Sequence, residues 1–224
     1  MKSEKRIAQI ASIPGRVETL RLTVESLLPQ TDMIFVALNG YEAVPDFLTK
    51  DKKIVYAVMD NSLGDAAKFY DVDQRNGYFL TCDDDLIYPQ GYVGYIIDGV
   101  KRHGGIVSLL GKKYDTRPIT SSRGGYTFLC RLQTRAVNDM DVHLGGTGVM
   151  AFHTDSIKLT MDNFPRRNMA DIWVAKAAAE QGVKITSLAH PARYVKQRNY
   201  SQRIWVTERK NDRYQTKILN SFLK

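Results

Sequence analysis

Cysteine is nearly missing from this chain: Cys82 and Cys130 are the two thiols in 224 residues. Two cysteines so far apart cannot build a disulfide framework or a zinc knuckle. Each sits in an apolar run, so both are expected to be small buried hydrophobes in a reducing compartment. No apolar stretch approaches the ~20 residues that a membrane-spanning helix needs. The opening MKSEKRIAQIAS lacks the long apolar centre of a signal peptide. Together these absences predict a cytoplasmic protein. Internal repeats, low-complexity tracts and a convincing linker are also missing, which favours one domain.

Acidic residues are in deficit, 24 against 32 Lys and Arg, for a formal charge of +8. The excess is local, because the stretch from Arg193 onward holds nine Lys and Arg against Glu208 and Asp212. The chain therefore reads as a catalytic domain over 1–192 and a basic tail over 193–224, packed on the same domain. A basic protein invites a nucleic-acid reading. That reading expects basic and aromatic residues interleaved across a sheet face, whereas here the basicity is an appendage, so no nucleic-acid partner is expected. The tail either forms a solvated face or steers the protein towards anionic lipid, an anionic saccharide or diphosphate groups. Its Ile204, Trp205, Val206, Ile218, Leu219, Phe222 and Leu223, set among basic residues, suit peripheral contact with a membrane surface.

What is present is an alternation of strand and helix patterns. Arg6 to Ser12 reads as a short buried strand, Met33 to Leu38, Ile54 to Val58 and Tyr78 to Cys82 as further strands, and Val17 to Leu28 and Gly64 to Gln74 as helices. Beyond them, Tyr92 to Val100 reads as a helix and Ile106 to Leu110 as a strand. The polar stretch Gly111 to Gly125 is expected to be a mobile loop. Tyr126 to Leu132 and Val149 to Phe152 are expected strands, Asp171 opens a helix through Ala179, and Val183 to Leu188 is a last strand. This pattern predicts an α/β fold with a mostly parallel central sheet covered on both faces. In such sheets ligands sit outside the carboxyl ends of the strands, where Asp83, Asp84 and Asp85 fall.

Three consecutive carboxylates raise one another's pKa values and destabilise the site unless something neutralises them. A divalent cation does so most simply, and hard oxygen ligands suit Mn²⁺ or Mg²⁺. Such a metal commonly completes its shell with substrate phosphates, so the cluster points to a pyrophosphate-bearing ligand. The plain alternative is an exposed acidic turn.

The strand ending in I-P-G-R, the helix ending in S-L-L-P-Q, the stretch I-F-V-A-L-N-G, then D-N-S-L-G-D-A-A-K and N-G-Y-F-L-T-C-D-D-D-L-I-Y-P resemble, in that order, the GT-A-fold glycosyltransferases. The likeness is to their large inverting, family-two-like group, and it covers roughly Arg6 to Leu188. It implies a Rossmann-like three-layer sandwich and a metal-dependent transfer of sugar from a nucleotide-sugar donor, commonly a UDP-sugar. The acceptor would be a saccharide or a lipid-linked saccharide. Ile13, Pro14 and Arg16 fall where that family holds the base and ribose. Asn39 ends the second strand, and Asp60 follows the third, near the base. Gly64 and Lys68 lie on the segment passing the nucleotide, followed here by Asp65 where the family more often has proline or glycine. Asp83 falls nearer the ribose and donor sugar, Asp84 within the same donor site, and Asp85 as the stronger metal ligand beside Asp83. Asp171, in N-M-A-D-I-W-V-A, matches the family's catalytic base; an inverting transfer needs such a carboxylate to take the acceptor hydroxyl's proton. The competing reading is that Asp171 caps its helix. His190 falls where relatives complete the metal shell, or is simply a loop histidine. His143, Gly146 and Thr147 are expected near the donor sugar and acceptor, and Arg203, in Q-R-I-W, near donor phosphates or acceptor.

A rival enzymatic reading is a sugar nucleotidyltransferase, which also combines an α/β sheet, a metal and a nucleotide. Those enzymes usually show a glycine-rich G-x-G-T-R-like loop after the first strand. Ile13-Pro14-Gly15-Arg16 has a single glycine.

Overall fold

The computed structural model describes residues 4–114, 117–198 and 212–223. Arg203 and its neighbours Gln202, Ile204 and Trp205 lie outside the described residues. The four expected strands of the first half are present as β1 (Arg6–Ser12), β2 (Met33–Asn39), β3 (Ile54–Met59) and β4 (Tyr78–Asp83). β1 is flanked by β2 and β4, β3 pairs with β2, and all three ladders are parallel. The first connection is α1 (Val17–Leu27), whose Leu20, Val24 and Leu27 recur at helical spacing and are buried. Pro29 lies just beyond its end, where a missing N–H does no harm.

A two-residue strand, β5 (Leu86–Ile87), follows the aspartates, and then α2 (Tyr92–His103) and β6 (Ile106–Ser108). Next come β7 (Gly111–Tyr114), β8 (Tyr126–Cys130), β9 (Met140–Val142), β10 (Leu144–Gly145) and β11 (Val149–His153). The chain continues through α3 (Ala170–Glu180), β12 (Ile185–Ser187), β13 (Lys196–Gln197) and α4 (Asp212–Phe222). The main sheet runs β3-β2-β1-β4-β11-β6-β12-β9. β11 is antiparallel to both neighbours, whereas β12 is parallel to β6.

Alternation along the strands sorts the core into two layers. Leu80 and Cys82 of β4, with Val149 and Ala151 of β11, join α1 and α2 in one buried cluster. Phe79, Met150 and Phe152 face the opposite way, into a cluster with α3 and Leu219 of α4. Each fully buried aliphatic or aromatic side chain contributes roughly 1.5–3 kcal/mol. This is the predicted α/β three-layer sandwich of Rossmann-like, GT-A-like type, and both cysteines are buried free thiols.

Two expectations need correction. Gly64 to Gln74 is two short 3₁₀ turns, Gly64–Phe69 and Val72–Gln74. Left-handed φ values of 55° at both Gly64 and Asp71 interrupt any continuous helix there. The expected loop Gly111 to Gly125 contains β7, which pairs with β8 and β10. Of the residues expected to meet a membrane, Leu219 is fully buried and Ile218, Phe222 and Leu223 pack partly buried against the same core, while Ile204, Trp205 and Val206 lie outside the described residues. The Asn220 amide fastens α4 further by exchanging two 2.9 Å hydrogen bonds with the Ile119 backbone. Among the described residues no helix is long and apolar enough to cross a membrane.

Candidate active site

The carboxyl ends of β2, β1 and β4 bring Asn39, Ser12 and Asp83 side by side. A cavity of about 150 Å³ opens there, lined by Ser12, Ile13, Arg16, Asn39, Gly64 and Asp84 among others. Asn39 is 3% exposed. Its amide N–H donates to the Gly64 carbonyl at 2.9 Å, while its side-chain oxygen is buried without a hydrogen-bond partner. A second cavity, about 340 Å³, adjoins it and is lined by Asp85, Gly146, Thr147, Asp171 and Gln197 among others. Arg16, Asp65, Lys68 and Asp83 line both.

The three aspartates are not equivalent. Asp84 is buried and pairs with the Arg16 guanidinium at 2.7 Å. Burial pushes its carboxyl above the usual range, and Arg16 opposes that push. Asp83 pairs with Lys68. Burial pulls the Lys68 ammonium down, but the Asp83 charge and hydrogen bond outweigh it and the net direction is up. Among the described residues the Asp85 carboxylate meets only the Gln197 amide, at 3.3 Å. Burial, then the charges of Asp83 and Asp84, raise the Asp85 carboxyl to about 6. Beside the divalent ion expected from sequence, the protein supplies cations of its own: Arg16 pairs with Asp84 and Lys68 with Asp83, and Asp85 is left unpaired by any cation among the described residues.

The donor set fits a hard divalent ion. Asp83 and Asp85 open onto one cavity, and Gly148 leaves the Asp83 carboxylate its space, since a Cβ there would collide with it. Among the described residues no three His, Cys, Asp or Glu side chains gather as a metal site. Two carboxylates completed by ligand oxygens is a common arrangement for Mg²⁺.

Across the larger cavity, Asp171 lies in the first turn of α3. Its Oδ1 accepts the Thr147 N–H at 2.8 Å and the Thr147 hydroxyl at 2.6 Å. It does not cap its own helix. That role belongs to Asp65, whose Oδ2 accepts the Ala170 N–H at 3.1 Å. Burial first, and then the Asp171 charge, raise Asp65 to about 6 against the pull of Lys68.

Among the described residues, four expected site residues do not line these two cavities. Asp60 is exposed, and its carboxylate accepts from the Ser62 N–H and hydroxyl, which hold its pKa below the usual range. Pro14 begins a 3₁₀ turn and does not line either cavity. His143 lines a separate groove with Ala175, Val183 and Phe222; its Nδ1 accepts the Tyr114 N–H at 3.0 Å and its Nε2 meets Arg117 at 2.9 Å. His190 is 3% exposed. Its Nδ1 faces the Pro191 carbonyl at 2.9 Å, and its Nε2 faces the Leu109 carbonyl at 3.0 Å and the Cys130 thiol at 3.2 Å, so both ring nitrogens are engaged within the protein.

Sequence reasoning missed Asp65, Gln197 and Tyr88. Asp65 was visible only as a departure from the resembled pattern. Gln197 comes from β13, which pairs with β5 just after the aspartates. The buried Tyr88 hydroxyl accepts the Asp83 N–H at 2.8 Å and donates to the Gly148 carbonyl at 2.6 Å, tying one wall of the cavity to the other.

No protein-family model matches the chain, and no curated protein matches it in sequence. Solved structures do resemble it. The crystal structure of 2-C-methyl-D-erythritol 4-phosphate cytidylyltransferase from Thermus thermophilus superposes with a TM-score of 0.51 at 12% identity, over 93% of this chain and 99% of that one. A 4-diphosphocytidyl-2C-methyl-D-erythritol synthase from Anaerococcus prevotii aligns with a TM-score of 0.40 at 16% identity, over 67% of this chain and 71% of that one. The first likeness supports the GT-A-like architecture, one shared with nucleotidyltransferases, and does not extend to membership of the inverting glycosyltransferase group.

Proposed function

We propose that this chain is a metal-assisted transferase acting on a nucleotide-linked sugar, and that it moves the sugar from a nucleoside-diphosphate donor to an acceptor hydroxyl with inversion. The observation that carries this reading is the carboxylate of Asp171, held by Thr147 across one cavity from Asp83 and Asp85. The smaller cavity suits the nucleoside, with the unpartnered Asn39 oxygen offering an acceptor to a base N–H such as that of uracil. Arg16 and Lys68, common to both cavities, suit the diphosphate.

In this reaction the acceptor oxygen forms a bond to the anomeric carbon as the bond from that carbon to the diphosphate oxygen breaks. The electron pair leaves with the nucleoside diphosphate, and the acceptor proton passes to Asp171 Oδ2, the oxygen not engaged by Thr147. The transition state has oxocarbenium character. Asp83 and Asp85 would hold Mn²⁺ or Mg²⁺, which would neutralise charge developing on the leaving diphosphate.

A second reading, sugar nucleotidyl transfer, is favoured by the fold likeness to a cytidylyltransferase, which stands nearer to it than to glycosyl transfer. The Asp171 carboxylate favours the glycosyl reading: a sugar phosphate attacks as an anion and needs no general base, whereas an acceptor hydroxyl does, and Thr147 leaves one Asp171 oxygen open. Incubation with Mn²⁺ and a panel of UDP-sugars should release UDP. Release of pyrophosphate from CTP plus a sugar phosphate, with no UDP from any UDP-sugar, would establish the second reading instead.

A further inference from the structure

Behind Asp171 lies a third cavity, about 180 Å³, that shares Asp65 and Asp171 with the larger one. Its wall includes Lys112 from β7, Arg123 from the turn before β8, and Gln215 from α4. Neither cation has an ion-pair partner among the described residues. Among the described residues Lys112 Nζ reaches only the Ser122 carbonyl, at a long 3.5 Å, and the face of Tyr126 at 5.5 Å. Arg123 Nε is buried with no hydrogen-bond partner. Burial holds the Lys112 ammonium below its usual range, Asp171 partly offsetting this. Asp65 and Asp171 line the same cavity and Asp171 acts on Lys112 through space, but no carboxylate among the described residues is in ion-pair contact with either cation, which leaves both with donors for a ligand.

The wall is also built to hold its shape. α4 grips the segment that carries Arg123: the Ser122 N–H donates to Asp212 at 3.0 Å and to Thr216 at 2.8 Å, and its hydroxyl contacts Gln215 at 3.1 Å. The Tyr114 hydroxyl donates to the Ser122 carbonyl at 2.8 Å from the other side. Fixing a guanidinium in advance reduces the ordering cost of binding an anion.

We propose that this cavity is a subsite for an anionic group, a carboxylate or a phosphate, on the second substrate, recognised by Lys112 and Arg123. Its role as an acceptor subsite rests on the transferase reading of Asp171. The position is apt: a substituent held there leaves a neighbouring hydroxyl beside Asp171.

The test uses the full chain with UDP and Mn²⁺, titrated with three probes and followed by ligand-observed NMR: methyl α-D-glucuronide, methyl α-D-glucoside 6-phosphate and the neutral methyl α-D-glucoside. At least one charged probe should bind about 10-fold or more tighter than the neutral one, the scale of one charge-assisted contact, and which one separates carboxylate from phosphate. Lys112→Met and Arg123→Gln should each abolish most of that preference while UDP affinity stays within about twofold, since neither residue lines the two nucleotide-side cavities. Equal binding of all three probes to the wild type overturns the subsite, and that comparison needs no variant to fold. Variants that keep the preference overturn the assignment to Lys112 and Arg123. Failure of UDP to bind while a charged probe still binds removes the transferase reading alone.

Discussion

Thr147 gives both its backbone N–H and its hydroxyl to a single oxygen of Asp171, at 2.8 and 2.6 Å. One carboxylate oxygen is thereby fixed, and Oδ2 accepts no hydrogen bond from any described residue. A general base needs this division, with one oxygen for orientation and one for the proton. Thr147 belongs to the glycine-rich turn after β10, so the turn's position and the base's orientation are a single feature.

Asp171→Asn should therefore leave UDP binding intact while reducing turnover by about 10²-fold or more. Thr147→Val keeps the backbone donor and loses the hydroxyl, so its loss should be smaller, roughly 10-fold. Steady-state rates beside UDP titrations separate these from donor defects. Wild-type turnover in Asp171→Asn would end its role as base.

Asp85→Ala should abolish Mn²⁺-dependent UDP binding, because Asp85 is the member of the trio without a cationic partner among the described residues. Calorimetry with and without a chelator measures it. Undiminished metal-dependent binding in the variant would remove Asp85 from the metal site.

Tyr88→Phe removes a hydroxyl that serves both the Asp83 N–H and the Gly148 carbonyl. Leaving buried polar groups unsatisfied costs about 1–3 kcal/mol, so urea denaturation should detect a loss of that size. Turnover should fall as well, because the two walls of the cavity lose their tie. A variant as stable as the wild type would show that water replaces the hydroxyl at no cost.

Asp65 sets a pH dependence of stability. Its folded carboxyl titrates at about 6, above the ordinary 3.8. Protonation is thus easier in the folded state, and stability falls as pH rises from about 4 to 6, then levels off. Asp65→Asn preserves a side-chain oxygen for the Ala170 N–H and removes the buried charge. Its melting temperature should exceed the wild type's at pH 7, with the difference vanishing below about pH 4. A constant difference across that range would show that Asp65 is not the titrating group.

Much of the fold was legible because burial imposes a period. The continuous apolar runs at Met33 and Tyr78 could only be strands buried on both faces, and Leu20, Val24 and Leu27 could only line one side of a helix. Where the backbone departed from a simple period, reading failed. Gly64 and Asp71 adopt left-handed φ that residue spacing does not announce, and the polar Gly111–Tyr114 became a strand because β8 and β10 supplied partners.

The sequence by itself determined that strands alternate with helices and that acidic side chains collect at a strand's carboxyl end, since both follow from local order along the chain. Tertiary structure alone decided how those acids divide the work. Arg16 and Lys68 neutralise two of them across separations of 68 and 15 residues. Asp65 reaches 105 residues onward to cap α3 and releases Asp171 to face the cavity. His190 turns to the Leu109 carbonyl, 81 residues away, and lines neither cavity at the aspartates. Charge and hydrogen bonding act between whatever the packed layers bring within about 3 Å, and that proximity is not written in the spacing of residues along the chain.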